Sequence, residues 1–212
     1  MQSLEIAIFL QFFLGLVAAV NPVGIMPVFV SLTGQMTLEE KHKTAKTANI
    51  AVAIILIISL LAGQVLLDMF SISLDSFRVA GGLLLLSIAF SMMSGKLGED
   101  KQNKQEQSEY VSREQIGVVP LAMPLMAGPG AISSTIVYGS RYPGMLETAG
   151  IALTIIAFCF SSWLLFRSAP LIVRFLGQTG INVITRIMGL ILGALGIEFI
   201  ANGLRNLFPG LM

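Results

Sequence analysis

Asn21-Pro22-Val23-Gly24 interrupts an apolar run that otherwise extends over residues 6–33. Proline has no amide to give a helix and its ring clashes with the carbonyl one turn back, while Gly24 accepts backbone angles that other residues avoid. In water, solvent would satisfy the freed backbone groups. In hydrocarbon they must face protein, a solute or an ion, so a break here implies a protein-lined cavity.

A second break, Gly128-Pro129-Gly130, lies inside the apolar run over residues 116–138. Pro129 follows Pro22 by 107 residues, Glu147 follows Glu40 by 107, and Arg186 and Gly189 follow Arg78 and Gly81 by 108. The recurring offset reads as a duplication. Residues 1–94 form a first three-helix repeat, 95–115 a linker rich in Lys, Glu, Gln, Asn and Ser, and 116–212 a second repeat.

Composition sets the environment. The 212 residues are 55% hydrophobic and 12% charged, with a mean hydropathy of +0.83, and several runs exceed the roughly 20 residues that cross a hydrocarbon core about 30 Å thick. The expected fold is all-α: a polytopic membrane protein with six transmembrane helices, of which helices 1 and 4 are broken by proline. The spans fall at about residues 4–33, 45–67, 77–94, 116–138, 145–165 and 181–204. Helix 5 is drawn on towards residue 176 with Pro170 kinking its end. Thr37 and Glu40 have the spacing of a capping box, which starts helix 2 in water.

Ten Lys and Arg fall on the side of connections 1, 3 and 5, against Arg78, Arg141 and Arg205 on the other. Positive residues stay in the cytoplasm, so both termini are expected in the periplasm. Three helices per repeat is an odd number, hence the second repeat enters the membrane inverted. Inverted repeats with helices broken at the midplane are the pattern of secondary transporters that work by alternating access.

The amides after each break, at Val23-Gly24 and Gly130-Ala131, carry a partial positive charge that suits a carboxylate, and the carbonyls of Ala19, Val20, Met126 and Ala127 suit an ammonium group or a small cation. A zwitterionic solute has both charges. Asn21 either caps the second half-helix or contacts the solute. Ser133, Ser134 and Thr135 either bond back to helix carbonyls or line the cavity. Arg78 and Arg186 either snorkel to headgroups or turn inward to the broken helices. Glu198 pairs with an arginine, faces the interface or couples transport to protons; coupling to Na+ is the other option left open. The candidate site is therefore Asn21, Pro22, Val23, Gly24, Gly128, Pro129, Gly130, Ala131, Ser133, Ser134, Thr135, Arg78 and Arg186, with Glu198 as coupling candidate.

Other classes find little purchase. Cys159 is the only cysteine and His42 the only histidine, so there is no intrachain disulfide, no thiolate metal cluster and no Ser and His pair within a span. No clustered basic face points to nucleic acid, and no cofactor motif is present. The partners expected are the lipid bilayer and a small zwitterionic solute. The rival class is a non-transporting membrane scaffold or accessory protein in which the breaks serve packing.

The motifs Asn21-Pro22-Val23-Gly24-Ile25-Met26-Pro27, Phe77-Arg78-Val79-Ala80-Gly81-Gly82 and Pro124-Leu125-Met126-Ala127-Gly128-Pro129-Gly130-Ala131-Ile132, in this order, resemble the MarC family of bacterial inner-membrane proteins over essentially the whole chain. That family is distantly similar to LysE-type exporters, which also have six helices and proline-broken spans. The resemblance implies transport of small neutral amino acids such as glycine and alanine across the bacterial inner membrane.

The orientation is directly testable. A single cysteine placed in the 95–115 linker, in a Cys159→Ala background, should resist a membrane-impermeant thiol reagent in intact cells and react in inverted vesicles; the reverse pattern would turn the topology over.

Overall fold

The structure, a computed structural model, describes residues 2–94 and 117–208; the expected linker over 95–115 lies outside the described residues. The chain folds into α1 (Gln2–Val20), α2 (Pro22–Leu32), α3 (Leu38–Met69), α4 (Leu74–Ser94), a π-helical α5 (Gly117–Met126), α6 (Pro129–Arg141), α7 (Met145–Arg167) and α8 (Ala169–Leu207). Strands are absent among the described residues.

Local chemistry explains the boundaries. Thr37 Oγ1 accepts from the Glu40 amide at 3.3 Å while Glu40 Oε2 accepts from the Thr37 amide at 2.7 Å, so two otherwise unpaired donors at the head of α3 are satisfied. Pro22, Pro129 and Pro170 each stand in the first turn of a helix, where the missing amide costs nothing and the fixed φ is already helical. Pro170 thus starts α8 rather than kinking the end of the preceding span. The bend falls instead at Ser168, which closes α7, and at Gly177, whose φ of 61° interrupts α8. That left-handed conformation is open to glycine without strain.

Among the described residues four helices, α3, α4, α7 and α8, are long and apolar enough to cross a membrane, and the pair Ala7–Val20 and Pro22–Leu32, bent by 42°, adds a fifth where the two pieces count as one span. The expected span over 116–138 begins at a residue outside those described and continues as two shorter pieces, α5 of 10 residues and α6 of 13. Large apolar side chains such as Ile54, Ile58, Leu61, Leu153 and Phe160 are more than half exposed, as helices solvated by lipid require.

The packing follows a definite pattern. The second piece of each broken helix leaves its own sequence neighbours: α2 packs on α8, and α6 packs on α4. The first pieces do the same, α1 lying on α7 and α5 on α3, while α3 meets α7 and α4 meets α8. The core runs through both breaks, with Val20, Ile25, Met26, Leu125, Met126, Ala127 and Ala131 in one continuous apolar cluster. Aromatic contacts close its two ends, Phe29 against Phe166 at 5.1 Å and Phe12 against Tyr138 at 4.9 Å.

The α4 and α8 contact depends on absent side chains. A Cβ on Gly82 would lie 2.6 Å from the Gly196 carbonyl oxygen, and one on Gly196 would lie 2.9 Å from the Gly82 oxygen. Backbone cannot move aside as a side-chain tip can, so these two glycines fix how closely the helices approach. The reading of Gly81-Gly82 as a packing motif is met for Gly82 in this seam and for Gly81 against Ser133 of α6. Gly82→Val should therefore destabilise the folded protein by about 1–3 kcal/mol or prevent α4 and α8 from pairing, the usual cost of overpacking. Thermal unfolding in detergent checks it, and an unchanged midpoint would show that the seam is loose.

Candidate functional site

At the first break, Val20 ends α1 and Asn21 turns left-handed, with φ 48° and ψ 65°. Asparagine adopts this conformation more readily than most residues because its short amide bonds locally. Its Oδ1 accepts from the Gly24 amide at 3.2 Å, and its Nδ2 donates to Thr185 Oγ1 on α8 at 3.4 Å. Asn21 therefore caps α2 and ties the break to a helix 164 residues away. Pro22 has no amide for Ala18, and Pro27 none for Val23, so both carbonyls lose their helical donor.

The second break is built differently. Gly128 is extended, with φ −78° and ψ 172°, and no side chain caps α6; the Ala131 and Ile132 amides both turn to the Gly128 carbonyl at 3.1 Å. Thr135 Oγ1 donates back to the Ala131 carbonyl at 2.8 Å, which is the helix-bonding alternative for that residue. Ser133 does otherwise. Its hydroxyl faces Gly81 of α4, where a Cβ would collide with Ser133 Oγ, and it is buried without a hydrogen-bond partner. Neither α2 nor α6 has an acidic residue in its first turn, so neither half-helix offsets its positive end with a carboxylate of its own.

Burial at the breaks is nearly complete. Asn21 is 1% exposed, Ser133 2% and Thr135 0%, and Pro22, Gly130, Ala131 and Ser134 are also buried. Val23, Gly24 and Gly128 are half-buried, and Pro129 is exposed. Met26, Leu125 and Met126, next to the two breaks in sequence, are buried in the apolar cluster that runs through both.

Open polar space lies at the far end of α6. A cavity of about 290 Å³ is lined by Gln11, Arg78, Tyr138, Arg141, Glu198 and Asn202, with Val137, Tyr142, Leu195 and Phe199 completing its wall. By helical rise, Tyr138 stands roughly 14 Å along α6 from Pro129. Arg78 is buried and donates to Asp75 Oδ1 at 3.2 Å, and the same oxygen accepts from Asn206 Nδ2 at 2.9 Å. The Arg141 guanidinium lies 5.6 Å from the centre of the Tyr142 ring. Two guanidinium groups and one carboxylate thus surround a single space.

The structure brings Arg78 and Glu198 to one cavity and Asn21 and Gly24 to one junction; Ser133, Ser134 and Thr135 lie on α6 between the second break and that cavity. Arg186 is exposed on α8 and lines neither. Sequence reasoning missed Asp75, although its spacing three residues before Arg78 is that of a helical ion pair. It also missed Thr185, Tyr138 and Asn202. Thr185 stands beside Arg186 in the repeated motif, but nothing in the sequence pairs it with Asn21.

The chain matches the family described as "MarC family integral membrane protein" over residues 6–208. It is 61% identical over 208 residues to the UPF0056 membrane protein YhcE of Escherichia coli (strain K12), covering 98% of this chain and 97% of that one. It is 49% identical over 208 residues to a UPF0056 membrane protein of Buchnera aphidicola subsp. Schizaphis graminum, again 98% and 97% covered. A UPF0056 membrane protein of Aquifex aeolicus (strain VF5) is 34% identical over 200 residues, 94% of each chain. No solved structure matches.

The junction at Asn21 makes a graded prediction. Asn21→Ala should cost about 1–3 kcal/mol, since it removes a cap and leaves Thr185 without its buried donor. Gly24→Ala should cost a similar amount, because the added methyl meets Asn21 Nδ2 and Thr185 Oγ1. Gly130→Ala should cost less, since its methyl meets only the flexible ends of Ile88 and Leu85 at 3.0 Å. Unfolding midpoints of the three variants in detergent test the order; equal losses would mean that the two breaks are supported alike.

Proposed function

We propose, from the premise that this chain belongs to the MarC family of integral membrane proteins, that it carries small zwitterionic solutes of the glycine and alanine type across the bacterial inner membrane. The observation that carries the reading is the cavity of about 290 Å³ in which Arg78 and Arg141 face Glu198 and Asn202. Its size is near the lower end of small-molecule sites, about 300 Å³. A solute carboxylate has the guanidinium groups as partners, and its ammonium group has Glu198, Tyr138 and the Gln11 carbonyl.

Six spans in two inverted repeats account for the packing. An in-plane two-fold relation exchanges the repeats, so α2 on α8 corresponds to α6 on α4, α1 on α7 corresponds to α5 on α3, and α3 on α7 and α4 on α8 each correspond to themselves. Both termini and the polar cavity then lie on the periplasmic side, with the 95–115 linker in the cytoplasm. Alternating access opens the packed midplane. The solute moves along α6 from the cavity to the Gly130 amide and the unpartnered Ser133 hydroxyl, with the Asn21 and Val23-Gly24 junction as the corresponding point of the other half-helix. Glu198 is placed to exchange a proton or Na+ with the solute's ammonium group. Arg186, exposed on α8, anchors that helix at the headgroups.

The same burial favours a second reading. A midplane closed by Met26 and Met126 is what a non-transporting scaffold would have as its permanent state. Uptake of labelled glycine and alanine into proteoliposomes, with and without Na+ and pH gradients, separates the two. The transporter reading expects uptake above protein-free vesicles and a loss of about 10-fold or more in Glu198→Gln, the cost of removing one charge-assisted bond, ~1.5–3 kcal/mol. Uptake equal to that of empty vesicles under every gradient would leave the scaffold standing.

A further inference from the structure

A groove of about 380 Å³ lies between α3 and α7, away from both breaks and from the Arg78 cavity. Lys46 and Asn49, three residues apart, present one face of α3 to it, and Ile156, Phe160 and Trp163, at helical spacing, present one face of α7. Its open walls are lipid-facing: Ile50 is 49% exposed, Ile156 50% and Phe160 58%.

Two buried polar atoms in this groove have no partner. Asn49 is 4% exposed; its Nδ2 donates to the Ala45 carbonyl at 2.9 Å, but its Oδ1 accepts from nothing. The Trp163 Nε1–H donates to nothing. A buried donor and a buried acceptor left open each cost free energy, which a ligand with both kinds of group recovers. Charge adds direction. Lys46 lines the groove and the Arg167 guanidinium lies 5.9 Å from the centre of the ring of Trp163, another lining residue, so one cation stands in the groove and a second beside its wall.

We propose that the groove between α3 and α7 is a binding site for an anionic phospholipid with a hydroxylated headgroup, of the phosphatidylglycerol type. Its phosphate lies between Lys46 and Arg167, a phosphate or ester oxygen accepts from Trp163 Nε1–H, a headgroup hydroxyl donates to Asn49 Oδ1, and an acyl chain runs along Ile50, Ile156 and Phe160. Basic pockets between membrane helices hold anionic headgroups in this way, and tryptophan sits at the boundary where apolar and polar surroundings meet. A free phosphate ion would leave the apolar walls unused, and a zwitterionic phosphatidylcholine has no donor for Asn49.

Trp163 is the chain's only tryptophan, so its fluorescence reports this groove alone. The full chain is reconstituted into phosphatidylcholine vesicles containing a rising fraction of either brominated phosphatidylglycerol or brominated phosphatidylcholine, since bromine quenches tryptophan on contact. Quenching by the brominated phosphatidylglycerol should exceed that by the same fraction of brominated phosphatidylcholine several-fold. Lys46→Gln and Asn49→Leu should each remove most of the excess, with circular dichroism verifying the fold; if either variant does not insert, Arg167→Gln serves in its place. Equal quenching by the two lipids overturns the proposal, as does an excess that survives in all inserted variants. Displacement of the brominated phosphatidylglycerol by inorganic phosphate alone would also overturn it, because the ligand would then be a soluble anion.

Discussion

The constraint from which this structure follows is that a peptide group in hydrocarbon must find its hydrogen-bond partner within the protein. Each proline-initiated half-helix creates groups that its own helix cannot satisfy, so each must be covered by another helix. That is why α2 lies on α8 and α6 on α4, and why the cover is glycine-rich. A Cβ at Gly81 would strike Ser133, and one at Gly24 would strike Asn21 and Thr185. The breaks and the small residues are therefore one device: the first expose backbone and the second allow another helix close enough to shield it.

The two breaks differ in how far this shielding goes. Asn21 spends both ends of its amide, on Gly24 and on Thr185, and leaves α2 capped. Gly128 has no side chain to spend, and Ser133 remains buried with an idle hydroxyl. An unsatisfied buried hydroxyl costs free energy, so the second break, without a side-chain cap, keeps more open hydrogen-bonding capacity than the first. The charged cavity sits on the same helix, so α6 joins polar space at one end to unspent hydrogen-bonding capacity at the other.

Much of this was legible in the chain, and the failures have identifiable causes. Proline flanked by Asn or Gly in an apolar run announces a break, so Asn21-Pro22 and Gly128-Pro129 were located to the residue, and Thr37 with Glu40 announced the start of α3. These are local effects. The π-helical bonding of α5, in which the Ala127 amide reaches the Ala122 carbonyl at 2.7 Å, depends on tertiary packing and has no local signature. The bend expected at Pro170 moved to Ser168 and Gly177, because proline in a first turn is compatible with helix. The Gly81-Gly82 pair declared close packing without naming its partner helix. For the site, residue types were readable but their company was not. Nothing in sequence order joins Asn21 to Thr185, or Arg78 to Glu198, since those meetings are decided by the pairing of helices more than one hundred residues apart.

The proposed alternating access at the broken helices makes Ser133 the position to watch, because it is 2% exposed here and must meet water in turn from each side if the halves move. In a Cys159→Ala background, Ser133→Cys should react with a small membrane-impermeant thiol reagent slowly from both faces, and glycine or alanine should change the rate. A cysteine that stays unreactive from both faces, with and without amino acid, would contradict the account and leave the broken helices as packing alone.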